Sequence, residues 1–153
     1  MKLWIRQKIF SWLDSYHVYD GNGNTAYTVR GQLSWGHYLK IYDSTGKSIA
    51  AVRERKIRVM PKFDVYKKGK YIGCVTKRIS FLGPRYDISW KKWYLKGSVM
   101  EWNYVIQDIA SIHKKIISMT DIYEIETVRD EDALDVLLIV IAVDAANCTR
   151  GKD

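Results

Sequence analysis

Apolar and polar positions recur along this chain in blocks spaced by about 23 residues, and internal repetition of this kind is the first thing to test for. Phe10-Ser-Trp-Leu-Asp-Ser-Tyr-His-Val-Tyr-Asp20 matches Leu33-Ser-Trp-Gly-His-Tyr-Leu-Lys-Ile-Tyr-Asp43 at that offset. Ile57–Lys67 and Ile79–Ser89 continue the series, and Val99–Gln107 and Ile116–Glu126 are weaker copies. Most copies carry an aromatic and β-branched stretch, such as His17-Val-Tyr19, Lys40-Ile-Tyr42, Asp64-Val-Tyr66 or Asp121-Ile-Tyr123. The segment ahead of each copy also repeats. Ile5–Ile9, Val75–Ile79 and Ile112–Ile116 share the form apolar-x-x-basic-apolar, and Val29–Leu33 and Leu95–Val99 are relaxed versions. Apolar residues at the first and fifth positions predict a strand with both ends turned inward. Asp20-Gly-Asn-Gly-Asn24, Asp43-Ser-Thr-Gly46 and Lys67-Lys-Gly69 supply hairpin turns between strands. Each repeat is therefore a strand, a loop and a strand. Six repeats predict a mainly β domain of about twelve strands over residues 3–127, using strands of about 5–6 residues. A closed antiparallel barrel buries one face of such strands and leaves no free edge.

The end of the chain breaks this pattern. Asp132–Asn147 has no two-residue alternation and no turn residues. Asp130, Glu131 and Asp132 suit a helix N-terminus, where the macrodipole favours negative charge. The segment predicts a helix over about 132–147, about 24 Å long. Asp135 and Asp144 fall on opposite sides at about 100° per residue, so the helix is apolar nearly all round. Such a helix must be buried on every side, either inside the barrel or against a second copy of the chain. A bilayer span needs about 20 apolar residues, so this run is too short for one. Lys2, Arg6 and Lys8 interrupt the N-terminus before an export signal could form. The expectation is one domain over 1–153, cytoplasmic, with no transmembrane segment.

Charge sharpens this picture. The 153 residues carry +8 overall. Residues 121–153 hold 9 acids and 3 bases, which leaves residues 1–120 at +14. Residues 52–92 hold 13 bases against 3 acids. If the apolar strand ends face inward, Arg6 and Lys8, Arg30, Arg78, Lys96 and Lys115 face out as a basic belt. Solubilising charge is one reading of such a belt, and an anion-binding surface is the other. The same register turns Lys77 and Lys114 inward. Either those strands carry bulges, or the lysines pair with buried acids such as Asp135 and Asp144.

Candidate chemistry is sparse. His17, His37 and His113 lie in separate repeats with no metal-ligand spacing. Asp14, Ser15 and His17 supply triad letters, but from one short loop. Gly21-Asn-Gly23 precedes no helix and reads as a hairpin turn. Cys74 and Cys148 are too few for a disulfide framework or a cysteine zinc site. No catalytic residue, no metal and no cofactor is expected, and the chain is not expected to be an enzyme.

The repeats FSWLDSYHVYDGNGN and VRGQLSWGHYLKIYD, together with the LLIVIAVDA helix, resemble the LURP-one-related family. That family lies in the tubby C-terminal-like superfamily, which also includes phospholipid scramblases. The resemblance covers about residues 3–147 and implies a twelve-stranded barrel threaded by its C-terminal helix. It also implies lipid chemistry, because tubby domains bind phosphoinositides and scramblases act on membranes. No stretch here matches the tubby headgroup-binding residues, and there is no cysteine-rich palmitoylation cluster or spanning tail of the scramblase type. The expected function is a non-enzymatic binding module for anionic phospholipid or phosphoinositide headgroups, peripheral at a membrane. The residues expected to carry it are Arg53, Lys56, Arg58, Lys62, Arg78 and Arg85, from the most basic stretch. The alternative is binding of single-stranded nucleic acid or an acidic protein, with Trp4, Trp12, Trp35, Trp90, Trp93 and Trp102 as stacking surfaces.

Overall fold

A computed structural model describes residues 1–8, 15–55, 59–98, 103–117 and 120–148, apart from the side chains of Gln7, Lys8, Ile116 and Cys148. Twelve strands are present in chain order: β1 (Lys2–Lys8), β2 (Ser15–Asp20), β3 (Thr25–Gly31), β4 (Tyr38–Asp43), β5 (Ser48–Glu54), β6 (Lys62–Lys67), β7 (Lys70–Arg78), β8 (Arg85–Ile88), β9 (Trp93–Gly97), β10 (Asn103–Ile106), β11 (Ala110–Ile117) and β12 (Thr120–Thr127). Each pairs antiparallel with its neighbours in sequence, and β1 closes on β12. Closure sets Leu3 opposite Ile125 and Ile5 opposite Tyr123, all four buried. Alternate residues point into the bore, as in the buried pair Phe63 and Val65 flanking half-buried Asp64, although β7 buries Gly73, Cys74 and Val75 in succession.

The repeat is visible in backbone detail. Register shifts fall at Val18/Tyr19, Ile41/Tyr42 and Val65/Tyr66, at the apolar-Tyr step of the first three copies. The extra residue lies on the following strand each time, at Ala26, Ile49 and Ile72, and increases the local twist beside the turn. The first two turns share their chemistry. Asp20 Oδ1 accepts from the amides of Asn22 and Asn24, and Asp43 Oδ1 accepts from those of Thr45 and Lys47. Gly23 and Gly46 follow at φ +83° and +84°, a conformation that side chains with a Cβ rarely adopt.

In an antiparallel barrel, alternate connections lie at opposite ends. The turns after β2, β4, β6 and β8 are tight and polar and form one rim. The connections after β3 and β7, 32–37 and 79–84, are longer and belong to the other rim, as do the described residues 59–61 that lead into β6. Two expectations are corrected here. Leu33 and Ile79 were expected to turn inward at the fifth position of their segments, yet both are exposed. Strands β3 and β7 end at Gly31 and Arg78, so these residues lie beyond the pleat in long-rim loops. Ile9 and Val99, which end two other segments, lie outside the described residues.

A 3₁₀ turn at Asp130–Asp132 leads into helix α1 (Ala133–Cys148), within a residue of the expected bounds. Val136 to Val143 are all buried, and the helix fills the bore, so a second copy is not needed to cover it. No helix among the described residues is long and apolar enough to cross a membrane. Its two carboxylates meet cations at opposite ends of the barrel. Asp135 contacts Lys67 Nζ at 2.6 Å and Lys91 Nζ at 3.5 Å and accepts from Trp90 Nε1 at 2.9 Å. Asp144 lies 3.7 Å from Lys114 Nζ, which also meets Asp121 at 3.0 Å, and it accepts a hydrogen bond from the Tyr123 hydroxyl. The inward Lys114 thus pairs with buried acids. Inward Lys77 is buried too, with Nζ 5.6 Å from the Tyr86 ring centre. Asn147, at the end of α1, accepts from the Tyr86 hydroxyl and donates to that of Tyr104, both at 3.3 Å.

Candidate functional site

Strand register builds a groove on the outer wall. Lys62, Thr76, Asp87 and Tyr94 are successive partners across β6, β7, β8 and β9, so one outward row crosses four strands. Arg78 and Arg85 pair in the next row toward the long-loop rim. Together with Lys92 from the β8–β9 turn and Trp93 at the start of β9, these side chains line a groove of about 480 Å³. Alternation along β8 explains the arrangement. Tyr86 and Ile88 enter the core, and Arg85 and Asp87 are left on the outer face.

The electrostatics of the groove are organised around one carboxylate. Arg78 Nε donates to Asp87 Oδ2 at 2.7 Å, and Arg85 Nε donates to Asp87 Oδ1 at 3.2 Å. Partial burial pushes the Asp87 carboxyl upward, but the hydrogen bonds and charges of Arg78 and Arg85 outweigh it and hold the group below its ordinary value. Asp87 is therefore charged at neutral pH. The lining then carries four cations, Lys62, Arg78, Arg85 and Lys92, against one anion, a net of +3. Both arginines meet Asp87 through Nε, which leaves their Nη atoms outside that contact. A guanidinium fork suits the oxygens of a phosphate. Arg85 also stacks 4.6 Å over the ring of Tyr94, a cation–π contact that orients the guanidinium.

Of the six residues expected to bind anions, three line this groove: Lys62, Arg78 and Arg85. Arg53 is exposed on β5, with its guanidinium 5.2 Å from the Tyr38 ring centre, and is not among the residues lining it. Lys56 and Arg58 lie outside the described residues. Sequence reasoning missed Lys92, Asp87 and Tyr94. Only the cross-strand register sets Asp87 and Tyr94 beside the arginines, and no spacing along the chain carries that information.

Other candidate groups are dispersed. His17 Nδ1 is 3.1 Å from Thr28 Oγ1, His113 Nδ1 is 2.8 Å from Asn103 Oδ1, and His37 is buried beside Glu54. Among the described residues, no three His, Cys, Asp or Glu side chains are grouped to hold a metal ion. Trp4 and Trp35, the exposed described tryptophans, sit near opposite ends of the barrel. Trp90 and Trp93 are half-buried, and Trp90 is engaged by Asp135. Trp12 and Trp102 lie outside the described residues.

Three comparisons bear on this geometry. The family model described as LURP-one-related matches residues 1–144. The uncharacterized protein YxjI of Bacillus subtilis (strain 168) is 29% identical over 149 residues, covering 94% of this chain and 92% of that one. An X-ray structure of a protein from Arabidopsis thaliana superposes with a TM-score of 0.56 at 17% identity, covering 90% of this chain and 89% of that one. That last likeness concerns the fold alone.

Proposed function

The chain belongs to the LURP-one-related family, and on that premise we propose that it is a non-enzymatic binding module for anionic phospholipid headgroups at the cytoplasmic face of a membrane. The family barrel is consistent with a binding module, and among the described residues α1 fills its bore. The observation that carries the reading is the groove across β6–β9, with its net of +3 and two arginines sharing one carboxylate. Phosphate oxygens match both the charge and the donor geometry.

Magnitudes limit what this attraction does alone. Each Lys or Arg near an anionic headgroup layer contributes about 1 kcal/mol. Four such residues give about 4 kcal/mol, near millimolar affinity. The Debye length shrinks from about 10 Å at 0.1 M salt to about 3 Å at 1 M, so binding by charge alone is lost at high salt. The nucleic-acid alternative needs several aromatics on one exposed face. The described tryptophans supply no such platform.

Co-sedimentation with neutral, phosphatidylserine and phosphoinositide vesicles tests the reading. The wild-type chain is expected to prefer anionic vesicles at low salt. Lys62→Glu with Lys92→Glu takes the lining from +3 to −1 without touching the Asp87 contacts, and should abolish that preference. Lys115→Glu, exposed on β11 and away from the groove, should cost less. No preference for anionic vesicles at low salt, or tighter binding to a single-stranded oligonucleotide, would overturn the proposal.

A further inference from the structure

The long-loop rim carries a feature that a headgroup groove does not require. Leu33 and Trp35, Val59, and Ile79, Phe81 and Leu82 are 82–104% exposed. They sit on the three loops between β3 and β8, which are neighbours around the barrel, so they form one arc of a single rim. The opposite rim turns on Asp20–Asn24, Asp43–Lys47 and Lys67–Lys70 instead. Scattered apolar side chains on a surface are ordinary, but six concentrated on one arc mark an interaction surface.

The cations are placed to match. Arg30, Arg53 and Arg78 stand on the outer wall within a few residues of the three loops, and Arg85 begins the strand that follows the last of them. Apolar tips with a collar of arginines one step behind have the profile of a bilayer interface. Side chains reaching about 5–10 Å enter the boundary between headgroups and acyl chains. Tryptophan is favoured at that depth, and cations are favoured in the layer just above it. The tips stand on separate loops and leave no continuous strand edge or groove for a peptide. A second copy would bring the same positive collar against itself.

We infer that the barrel docks end-on, inserting Leu33 and Trp35, Val59, and Ile79, Phe81 and Leu82 into an anionic bilayer while the arginine collar meets the headgroups. This rests on the lipid reading and adds an orientation to it. Arg78 and Arg85 flank the 79–84 loop, so insertion brings the rim-side end of the groove to headgroup level.

The test separates the two claims. Phe81→Ser with Leu82→Ser leaves every groove cation in place and removes two exposed side chains, so the melting curve should not change. Binding to phosphatidylserine vesicles should weaken by at least about tenfold, since partly burying two such side chains supplies that much. Vesicles with brominated acyl chains should quench tryptophan fluorescence. The quenched fraction should fall in Trp35→Phe and stay unchanged in Trp4→Phe, at the opposite end. If the wild type binds anionic vesicles but the loop variant binds equally well, or Trp35 contributes nothing to the quenching, end-on docking is wrong and the groove reading stands. If the wild type binds no anionic vesicle at all, both fall. Self-association that the loop variant abolishes, with no vesicle binding lost, would assign the arc to a second copy and overturn the inference.

Discussion

Asp144 is one of the acids buried in the bore. It lies on the apolar helix, and burial raises its carboxyl above the ordinary 3.8, with the Tyr123 hydrogen bond and the Lys114 charge offsetting only part of the rise. Burial also holds the Tyr123 hydroxyl well above its usual range, with the neighbouring Asp144 adding to the effect. That hydroxyl therefore remains a donor. A raised native pKa means that the folded chain binds the proton more tightly than the unfolded chain does. Stability from this group is present at low pH and declines as pH climbs from the unfolded value through the native one. Asp144→Asn abolishes that dependence. The Tm difference, wild type minus variant, should be most favourable near about pH 4 and shrink toward neutrality, which thermal melts across a pH series would show. A difference that grew with pH would mean that Lys114 dominates instead. This arrangement was partly legible in the sequence. Counting in twos along β11 turns Lys114 inward and demands an acid. That Asp121 shares the lysine was not foreseen, because Asp121 is a strand residue whose facing depends on exact register.

At the scale of elements, strand number and the closing helix could be read from the chain because each has a distinct period. The strands alternate, and Ala133–Cys148 does not. Loop bounds were less legible, since a frame with apolar ends treats Leu33 and Ile79 as strand residues although the pleat stops before them. The pattern records what is apolar and does not record what is covered. The helix is expected to act as the core that the strands lack. Val140→Lys would set a charge among side chains buried on every face, and a loss of more than about 4 kcal/mol, seen as insolubility or a collapsed melting transition, should follow. Gly97 tests the wall rather than the core. A Cβ there would sit 2.7 Å from the buried ring of Tyr104 and 3.0 Å from Pro84. Gly97→Ala should cost about 1–3 kcal/mol and lower Tm by about 2–12 °C, measurable by circular dichroism.

For the molecule as a whole, the basic stretch was visible as composition, whereas the site became visible only when four strands were laid side by side. Residues 52–92 contain Lys62, Arg78, Arg85 and Lys92 without saying that they share a wall. Asp87 binds two of them through strand pairing, which no linear spacing encodes. The same pairing implies an order of events in the making of the protein. Every strand precedes the helix that fills the bore, and β1 pairs with β12. During translation the first strand therefore leaves the ribosome long before its closing partner exists. At about 5–20 residues per second, the stretch before Ala133 takes about 7–26 s to synthesise. Strands that pair before closure would form an open sheet with an apolar face and a free edge, the kind of surface that invites wrong pairing. Nascent chains arrested before the helix emerges should be cut readily by protease and held by chaperones, and emergence of the helix should convert them to a resistant form. The helix, made after every strand, is the element that ends this exposure.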